Sequence, residues 1–372
     1  MKFNRYALSD LATIKYGKNQ KKVLSESGNI PIYGTGGLMG YATTALYDKP
    51  SVLIGRKGTI GKVKYVEHPF WTVDTLFYTI VNTDIVLPKY LYYVMSLIDL
   101  NNYNEGTTIP SLRTETLNRL EFDIPSLVEQ ETILSCLNPI DEKIALNNTI
   151  NNNLEQQAEA IFQSILSNAI TTVNLGEIAD VKGGKRLPKG VNLTDIPNAH
   201  PYIRVRDLNN ALFASLTPNY AYVDKETQKS ISRYIVSTGD VLISIVGTIG
   251  LTAIVDSTLD KANLTENCVK VTNLKHITPE YLLLYLRSQL GREAIAKGTV
   301  GAVQQKLPIK NIQAIPIPLL SEKDKNALFC TLDSIFAGIS NNVIQSAKLA
   351  SLRDTLLPRL MSGELDVSDI DL

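Results

Sequence analysis

The sequence predicts a mixed α/β protein made of two copies of one unit, each followed by a long helix. Three observations predict this fold. The chain has 372 residues, which at about 100 to 200 residues per domain allows two or three domains with their own cores. Several short sequence blocks of the first half of the chain recur in the same order in the second half. A heptad pattern of apolar residues follows each half and is typical of a coiled coil.

The internal repeat is carried by several blocks. Residues 8–18, LSDLATIKYGK, align with residues 175–185, LGEIADVKGGK, and VLIGRKGTIG (52–61) aligns with VLISIVGTIG (241–250). The later matches are Pro88, Tyr90 and Leu91 with Pro279, Tyr281 and Leu282, Gly106-Thr107 with Gly298-Thr299, and Ile124-Pro125 with Ile317-Pro318. Matches that keep their order along a whole chain indicate duplicated architecture.

The two copies differ in length at one place. The offset is 167 at the first block and 189 at the second, so the second copy carries 22 extra residues between them. Surface loops tolerate insertions and often carry binding residues. We therefore expect two units with a common frame and one differing face. The GTIG segments, 58–61 and 247–250, are read as tight turns between strands.

Each copy ends in a helix whose apolar positions alternate in steps of four and three, as in a coiled coil. The first series is Ile133, Leu137, Ile140, Ile144, Asn147, Asn151, Leu154, Ala158, Ile161 and Ile165. The second series is Leu328, Leu332, Ile335, Ile339, Asn342, Ser346, Leu349, Arg353, Leu356 and Leu360. Both series are polar in the middle, so Asn147 and Asn151 are expected to face Asn342 and Ser346 and to fix the helix register. The alternative is that these positions are exposed where the helices bow apart. Pro139 should kink or restart the first helix.

Connectivity predicts the direction of the helices. The first helix leads into the second copy and the second helix leaves that copy, so the pair should be antiparallel and related by a pseudo-two-fold axis. A helix of about 38 residues spans roughly 57 Å at 1.5 Å per residue. The prediction is two similar units at opposite ends of a two-helix coiled coil.

The composition excludes several classes of protein. The 22 Gly and 16 Pro residues are too few for a fibrous chain. The three cysteines, Cys136, Cys268 and Cys330, are far apart, which favours a reducing cytoplasm over a disulfide framework and indicates no metal site. The start of the chain lacks a signal peptide, and we expect no membrane span.

The formal net charge is zero, which alone would argue against a nucleic-acid partner. The charge is segregated, however. Residues 1–125 carry 14 basic and 11 acidic side chains and residues 173–318 carry 17 and 12, whereas 126–172 carry 1 and 6 and 319–372 carry 5 and 8. Basic units on acidic helices indicate that the units bind a phosphate backbone while the helices stay free for protein partners.

The sequence contains no convincing catalytic motif. GTGGLMG (34–40) and GRKGTIGKV (55–63) lack the spacing of phosphate-binding loops. No amino-methylation, nuclease or helicase signature is present. The chain is therefore predicted to be non-catalytic.

The blocks together resemble the specificity subunit of type I restriction-modification systems. Each copy opens with an LxxIAxxKGGK-like segment and continues through GDVLISxxGTIG (Gly239 to Gly250 in the second copy). Each closes with G-T…IPxPLLxE (Gly298 to Glu322, and Gly106 to Gln130 in the first copy) before the long helix. The second copy departs from the first at Lys323, where the first copy has Gln130, and at Arg353 in the helical series.

The resemblance implies four regions: a target-recognition domain over 1–125, a central helical region over 126–168, a second target-recognition domain over 169–318 and a C-terminal helical region over 319–372. It implies that each domain binds one half of an asymmetric, interrupted site in double-stranded DNA. It also implies that the helices set the half-site spacing and dock two modification (methyltransferase) subunits. S-adenosylmethionine, for transfer of methyl to adenine, would be bound by those subunits, and ATP and magnesium by restriction subunits. No cofactor is expected on this chain.

Base reading requires side chains that can hydrogen-bond to base edges, chiefly Arg, Lys, Asn and Gln. The DNA-binding candidates are Lys18, Lys21, Lys22, Tyr33, Thr35, Arg56, Lys57 and Thr59 in the first copy and Lys182, Lys185, Arg186, Lys189, Arg204, Arg206, Gln304 and Gln305 in the second. Tyr33 to Gly36 and Gln304-Gln305 are expected in loops. Two alternatives stay open: a self-sufficient methyltransferase or nuclease with a divergent site, and a coiled-coil scaffold that binds proteins rather than DNA.

Overall fold

The computed structural model describes residues 1–209, 211–217, 220–302 and 304–367. Contacts divide the chain into two compact units. The first unit comprises Met1–Ala145 and the chain from Ser346 onward, and the second unit comprises Leu146–Gln345. Each unit thus contains one globular part and a portion of both long helices.

The first unit begins with β1 (Asn4–Ala7), the short helix α1 (Leu8–Leu11) and β2 (Ala12–Tyr16). Its further strands are β3 (Ile30–Gly34), β4 (Gly37–Ala42), β5 (Ser51–Gly55), β6 (Val63–Val66), β7 (Trp71–Thr72), β8 (Leu76–Val81) and β9 (Glu121–Ile124). Its other helices are α2 (Pro88–Ser96), α3 (Thr114–Asn118) and the start of α4 (Leu127–Leu166).

Three sheets form the first unit. Strands β2, β8, β5 and β6 form an antiparallel sheet in that order, β4, β3 and β7 form a second sheet, and β1 pairs with β9. Strand β5 (SVLIG) is buried at every position, as expected for a central strand, since its neighbours lie on both sides and α2 packs on its sheet.

The second unit repeats this order. Its strands are β10 (Thr171–Asn174), β11 (Asp180–Gly183), β12 (Pro201–Ile203), β13 (Phe213–Ala214), β14 (Ala221–Tyr222), β15 (Val241–Ser244), β16 (Thr252–Val255), β17 (Asn263–Leu264), β18 (Cys268–Thr272) and β19 (Pro316–Leu319). Its helices are α5 (Leu175–Ile178), α6 (Val205–Leu208), α7 (Lys225–Ile231), α8 (Pro279–Arg287), α9 (Gln289–Gly298), α10 (Ile309–Gln313) and the first part of α11 (Glu322–Met361), whose residues from Ser346 onward belong to the first unit.

The sheets of the two units correspond strand by strand. The sheet β11-β18-β15-β16-β13 matches β2-β8-β5-β6 with one strand added, β14-β12-β17 matches β4-β3-β7, and β10-β19 matches β1-β9. The predicted duplication and the mixed α/β fold are therefore confirmed. The 22 extra residues lie between the first two blocks, where the second unit adds α6, β13 and α7.

The two long helices have 40 residues each, and their apolar faces belong to the cores of the units. In the first unit, Ile133 and Leu137 of α4 are buried with Leu357 and Leu360 of α11. In the second unit, the core holds Ala158 and Phe162 of α4 with Leu328, Leu332, Phe336 and Ile339 of α11. In the first unit, early residues of α4 pack with late residues of α11, and in the second unit late residues of α4 pack with early residues of α11. The two helices are therefore antiparallel within each unit. Helix α4 continues through Pro139 rather than restarting.

Helix α11 is long and apolar enough, by length and composition alone, to cross a membrane. In the apolar 18-residue stretch of α11, 22% is buried. Length and composition are weak evidence of a membrane span here, because α11 is amphipathic and its apolar side chains Leu328, Leu332 and Phe336 lie in the core of the second unit. The contacts define two units, each with parts of both long helices, and do not delimit the four regions predicted from sequence. Those four boundaries therefore stay a prediction.

Candidate nucleic-acid interface

One edge of the main sheet in the first unit gathers four of the eight DNA-binding residues predicted there, Lys18, Arg56, Lys57 and Thr59. Because β2, β8, β5 and β6 alternate in direction, the ends of β2 and β5 lie beside the starts of β8 and β6. Gly17 N donates to Leu76 O at 3.0 Å, and Arg56 N donates to Thr75 O at 2.9 Å. These bonds hold Lys18 and Arg56, which follow β2 and β5, at the same edge.

The GTIG turn is joined at this edge to a loop that is distant in sequence. Gly58 N donates to Pro110 O at 2.9 Å, and Leu112 N donates to Arg56 O at 2.9 Å. Gly58 has φ +83°, a left-handed conformation that favours glycine, so the tight-turn interpretation holds for this segment. The first edge surface is defined here as Lys18, residues 56–62 and residues 104–112. The first edge surface brings together two motifs of the repeat, GTIG and Gly106-Thr107, which are far apart in the sequence.

The polar side chains of the first edge surface are largely exposed. Lys18, Lys57 and Thr59 are exposed. The guanidinium of Arg56 lies 5.0 Å from the Tyr16 ring centroid, and its Nη1 donates to Asp74 O at 2.9 Å. Stacking on an aromatic ring orients Arg56 while leaving part of its fork available to a ligand.

Two predicted residues border the first edge surface from the β3–β4 hairpin. Tyr33 and Thr35 line a small cleft together with Thr59, Lys62 and Lys64. The expectation that Tyr33 lies in a loop is wrong, because it lies in β3 and is only 8% exposed. Its apolar neighbours bury the ring, and its hydroxyl lies 3.3 Å from His68 Nε2. Thr35 lies in the turn and is half-buried.

Lys64 is a residue that the sequence reasoning did not select as a candidate. Its Nζ lies 3.8 Å from the Tyr33 ring centroid, and partial burial lowers the pKa of Lys64 below its ordinary value. Lys21 and Lys22 lie elsewhere. They are exposed in a turn that Thr43 N ties to β4 by donating to Val23 O at 3.0 Å.

The second unit builds an equivalent edge from equivalent strands. Gly184 N donates to Cys268 O at 2.9 Å, and Ile245 N donates to Asn267 O at 2.8 Å. Leu307 N donates to Ile245 O at 3.0 Å, which joins the second GTIG turn to the loop that carries Gln304 and Gln305. The second edge surface is defined here as residues 184–186, 245–250, 265–267, 300–302 and 304–306. Gln304 and Gln305 are exposed in this loop, as expected.

Lys185 and Arg186 lie on the second edge surface. Lys185 Nζ lies 5.5 Å from the Tyr234 ring centroid, and Arg186 Nε donates to Glu266 Oε1 at 2.8 Å. Glu266 is held ionised despite its partial burial, because hydrogen bonds that include the one from Arg186 lower its pKa. Lys189 is exposed three residues further along.

Three candidates in the second unit are engaged by neighbouring carboxylates. Arg204 donates through Nε and Nη2 to Asp207 at 2.8 and 3.0 Å, and Arg204 N also donates to Asp207 Oδ2, so this side chain fixes the start of α6. Lys182 lies inside β11 and pairs with Asp180 at 3.1 Å, towards the other end of the strand. Arg206 is 69% exposed, with Asp207 at 3.8 Å.

The two edge surfaces share the aligned basic residues Lys18 and Lys185 but differ at the GTIG turn. Arg56 and Lys57 of the first turn align with Ile245 and Val246 of the second turn. In the second unit, Lys189 and Arg206 lie outside the second edge surface, in the region of the insertion. A common frame with different charged residues is what two readers of different sequences require.

An acidic residue stands at the same place in both edges, and the sequence reasoning missed it. Asp74 and Glu266 align at an offset of 192, and each lies two residues before a strand, β8 and β18 respectively. The alignment of the two copies could have revealed this pair of acidic residues. A carboxylate is unexpected on a surface proposed to face phosphates, so its presence in both copies is informative.

The polar middle of the helical series lies partly inside the protein. Asn147 is fully buried, and its Nδ2 donates to Gln345 Oε1 at 2.9 Å and to Asn342 O at 3.4 Å. Asn342 Nδ2 donates to Asn151 Oδ1 at 2.8 Å. Ser346 is half-buried. These contacts cross between α4 and α11, while the role of these residues in fixing register stays a prediction.

The irregular position Arg353 also bonds across the helices. Arg353 Nη1 donates to Asp141 Oδ1 at 2.9 Å, and Asp141 accepts a short hydrogen bond from Tyr93. Among the described residues, no group of three or more His, Cys, Asp or Glu side chains is arranged to hold a metal ion.

Comparisons with known proteins give the family. Residues 2–156 and 169–348 match the family model "Type I restriction modification DNA specificity domain". The chain is similar to the type I restriction enzyme MjaIX specificity subunit of Methanocaldococcus jannaschii, with 23% identity over 87% of this chain and 80% of the relative. It is also similar to the HindI specificity subunit of Haemophilus influenzae, with 22% identity over 82% of this chain and 84% of the relative.

A solved structure shares the fold. The crystal structure of the S subunit of a type I restriction-modification system from M. genitalium is 17% identical and has a TM-score of 0.59. The likeness covers 97% of this chain and 96% of that one. With two family matches that together cover most of its length and two structurally equivalent units, the chain belongs to the type I restriction-modification DNA specificity family.

Proposed function

We propose that this chain is the DNA-recognition component of a type I restriction-modification complex, with one half of an asymmetric, interrupted target read by each unit. As a member of the specificity family, it supplies recognition rather than catalysis. The first edge surface would read one half-site and the second edge surface the other.

One observation carries this proposal. In both units, hydrogen bonds join the GTIG turn to a distant loop at the same edge of the same sheet, and both edges carry exposed basic side chains. Basic residues position a protein on phosphates, and the Arg, Lys and Gln side chains beside them are suited to base edges. Because the charged residues differ between the edges, the two half-sites should differ in sequence.

The helices would set the half-site spacing and bind the other subunits. The helical segments carry net charges of −5 (126–172) and −3 (319–372), so they would be repelled by phosphates. Two modification subunits would bind there and supply S-adenosylmethionine for methyl transfer to adenine. Restriction subunits would supply the ATP and magnesium chemistry. The whole complex would act in the cytoplasm.

The test is to co-express the full chain with the modification subunit of its own system and to map methylated adenines in genomic DNA. The expected result is one motif of two unlike parts, separated by unspecified bases and centred about one helical turn apart. Methylation by the purified chain alone would favour the self-sufficient enzyme. Absence of salt-sensitive DNA binding would favour the protein-binding scaffold.

A further inference from the structure

Arg186 extends into solvent from the second edge surface and is held there by one acidic side chain. Its Nε donates to Glu266 Oε1 at 2.8 Å, yet 82% of the Arg186 side chain is exposed. Glu266 is held in turn, since Thr265 Oγ1 donates to Glu266 Oε2 at 3.2 Å. The inner end of the guanidinium is therefore fixed.

The backbone beside Arg186 is fixed as well. Lys185 N donates to Leu264 O at 2.8 Å, and Lys185 O accepts a hydrogen bond from Tyr202 Oη at 2.9 Å. Tyr202 is 3% exposed, so this anchor is part of the core. An arginine with an anchored backbone and an anchored Nε loses little conformational freedom when it binds.

The free end of the guanidinium defines the ligand. Arg186 Nη1 and Nη2 make no hydrogen bond to any residue that the structure describes. Two parallel N–H groups of this kind match O6 and N7 of guanine in the major groove, which is the commonest specific arginine contact with a base. Phosphate contact needs no such orientation.

Folding stability does not explain the pair. Exposed ion pairs contribute little to stability, and a carboxylate close to DNA is repelled by phosphates. The first unit also orients an arginine at its edge, but through the backbone: the main-chain oxygen of Asp74, which aligns with Glu266, accepts a hydrogen bond from Arg56 Nη1, and the Asp74 carboxylate takes no part in this bond. Each edge thus orients one arginine, although the arginine comes from a different segment.

We propose that Arg186 reads a guanine in the half-site of the second unit, and that Glu266 is the residue that positions it. This inference rests on the proposed DNA-recognition function and names one base of the target. Glu266 contacts no base in this proposal.

The experiment maps methylation by the full chain with its modification subunit, for the wild type and for Arg186→Ala, Glu266→Ala, Glu266→Gln and the double alanine variant. Arg186→Ala should lower the preference for guanine at one position of one half-site by at least about fivefold. Glu266→Ala should act at the same position, and the double variant should equal Arg186→Ala. Glu266→Gln should restore part of the preference, since its amide oxygen can still accept from Nε.

Lys189→Ala is the matched control, because Lys189 is an exposed basic residue of the same unit. It should weaken binding without changing the preference at any position. A uniform loss with Arg186→Ala, or a change at a different position with Glu266→Ala, would overturn the inference. If a variant fails to fold, Arg186→Lys keeps the charge, loses the fork and should show the same loss.

Failure of the inference and failure of the proposed function give different results. A wild-type motif in two parts with no position that depends on Arg186 contradicts only the assignment of the guanine. A wild-type complex without a two-part motif contradicts the proposed function itself.

Discussion

Asp141 joins three parts of the first unit through its two carboxylate oxygens. It accepts hydrogen bonds from Tyr93 on α2 and from Arg353 on α11, and Lys89 Nζ lies 3.8 Å away. Burial, with the hydrogen bond to Asp141 as a further cause, raises the pKa of Tyr93, so its phenol stays protonated and remains a donor. Arg353 therefore continues the contact between the helices by an ion pair instead of an apolar residue.

We expect Asp141→Ala to lower the free energy of unfolding by about 2 kcal/mol, because it leaves Tyr93 and Arg353 without their acceptor. Thermal unfolding of the full chain measures the loss. Asp123→Ala is the control, since Asp123 is 60% exposed and pairs with Arg5 at 3.6 Å. Equal losses for the two variants would show that the network adds nothing beyond an exposed ion pair.

Asn147 and Asn151 test the register of the helices. Replacing both with Leu should raise the melting temperature, because apolar side chains pack better at these positions, but should loosen the register. The preference for one half-site spacing, measured on DNAs with varied spacers, should broaden. Asn152→Leu, at an exposed position of the same helix, should leave the preference unchanged. An unaltered preference in the double variant would refute the register role.

The cysteines differ in reactivity for a physical reason. Burial raises the pKa of the Cys268 thiol to about 12, whereas Cys330 is exposed. At pH 8 the thiolate of Cys268 is therefore scarce and shielded, so iodoacetamide should label Cys330 and spare Cys268 in the folded chain. Mass spectrometry of the labelled peptides measures this, and labelling of Cys268 at a similar rate would contradict its burial.

For single residues, sequence patterns predicted the location of several side chains at the sheet edges, but they did not predict the contacts that those side chains make. Lys18, Arg56 and Thr59 could be selected because they lie within the repeated blocks 8–18 and 52–61. The engagement of Arg204 by Asp207 and the burial of Tyr33 could not be foreseen, since each depends on the local backbone path of its segment.

The start of helix α4 is attached to the first unit by Gln130, which is fully buried. Gln130 Nε2 donates to Ile85 O and Pro125 O at 2.9 Å, and its Oε1 accepts a hydrogen bond from Leu87 N at 2.8 Å. The aligned residue of the second unit, Lys323, is exposed. The difference between Gln130 and Lys323 is thus a difference in how the starts of α4 and α11 are anchored.

We expect Gln130→Lys to cost about 3 kcal/mol of unfolding free energy, because it buries a charge and removes three hydrogen bonds. The reciprocal Lys323→Gln is the control and should change stability by no more than about 0.5 kcal/mol. Denaturant unfolding measures both. Comparable costs for the two substitutions would contradict the anchoring role.

At the element scale, the sequence predicted the repeat, the long helices and the turns, because periodicity and duplicated motifs record them directly. It predicted that Pro139 kinks or restarts the first helix; α4 does not restart there, and the kink stays a prediction. The added elements of the second unit, α6, β13 and α7, were expected only as an insertion. Short elements of this kind are determined by pairing with the existing sheet, as β13 pairs with β16, more than by local propensity.

For the whole molecule, the zero net charge is the sum of basic units and acidic helices. DNA affinity should therefore fall as salt rises, and removal of one phosphate contact should reduce the slope of log affinity against log salt by about 0.9. Lys57→Ala should show this reduction. Lys348→Ala, on the exposed side of α11, should leave the slope unchanged. A reduction for Lys348 as large as that for Lys57 would place DNA on the helices.

The most direct test of separate reading by the two units is methylation mapping with the double variant Arg56→Ala, Lys57→Ala, co-expressed with the modification subunit. These residues belong to the first edge surface and have apolar counterparts, Ile245 and Val246, in the second unit. The prediction is that one half of the wild-type motif relaxes while the other half and the spacing stay unchanged. Equal relaxation of both halves would contradict the account.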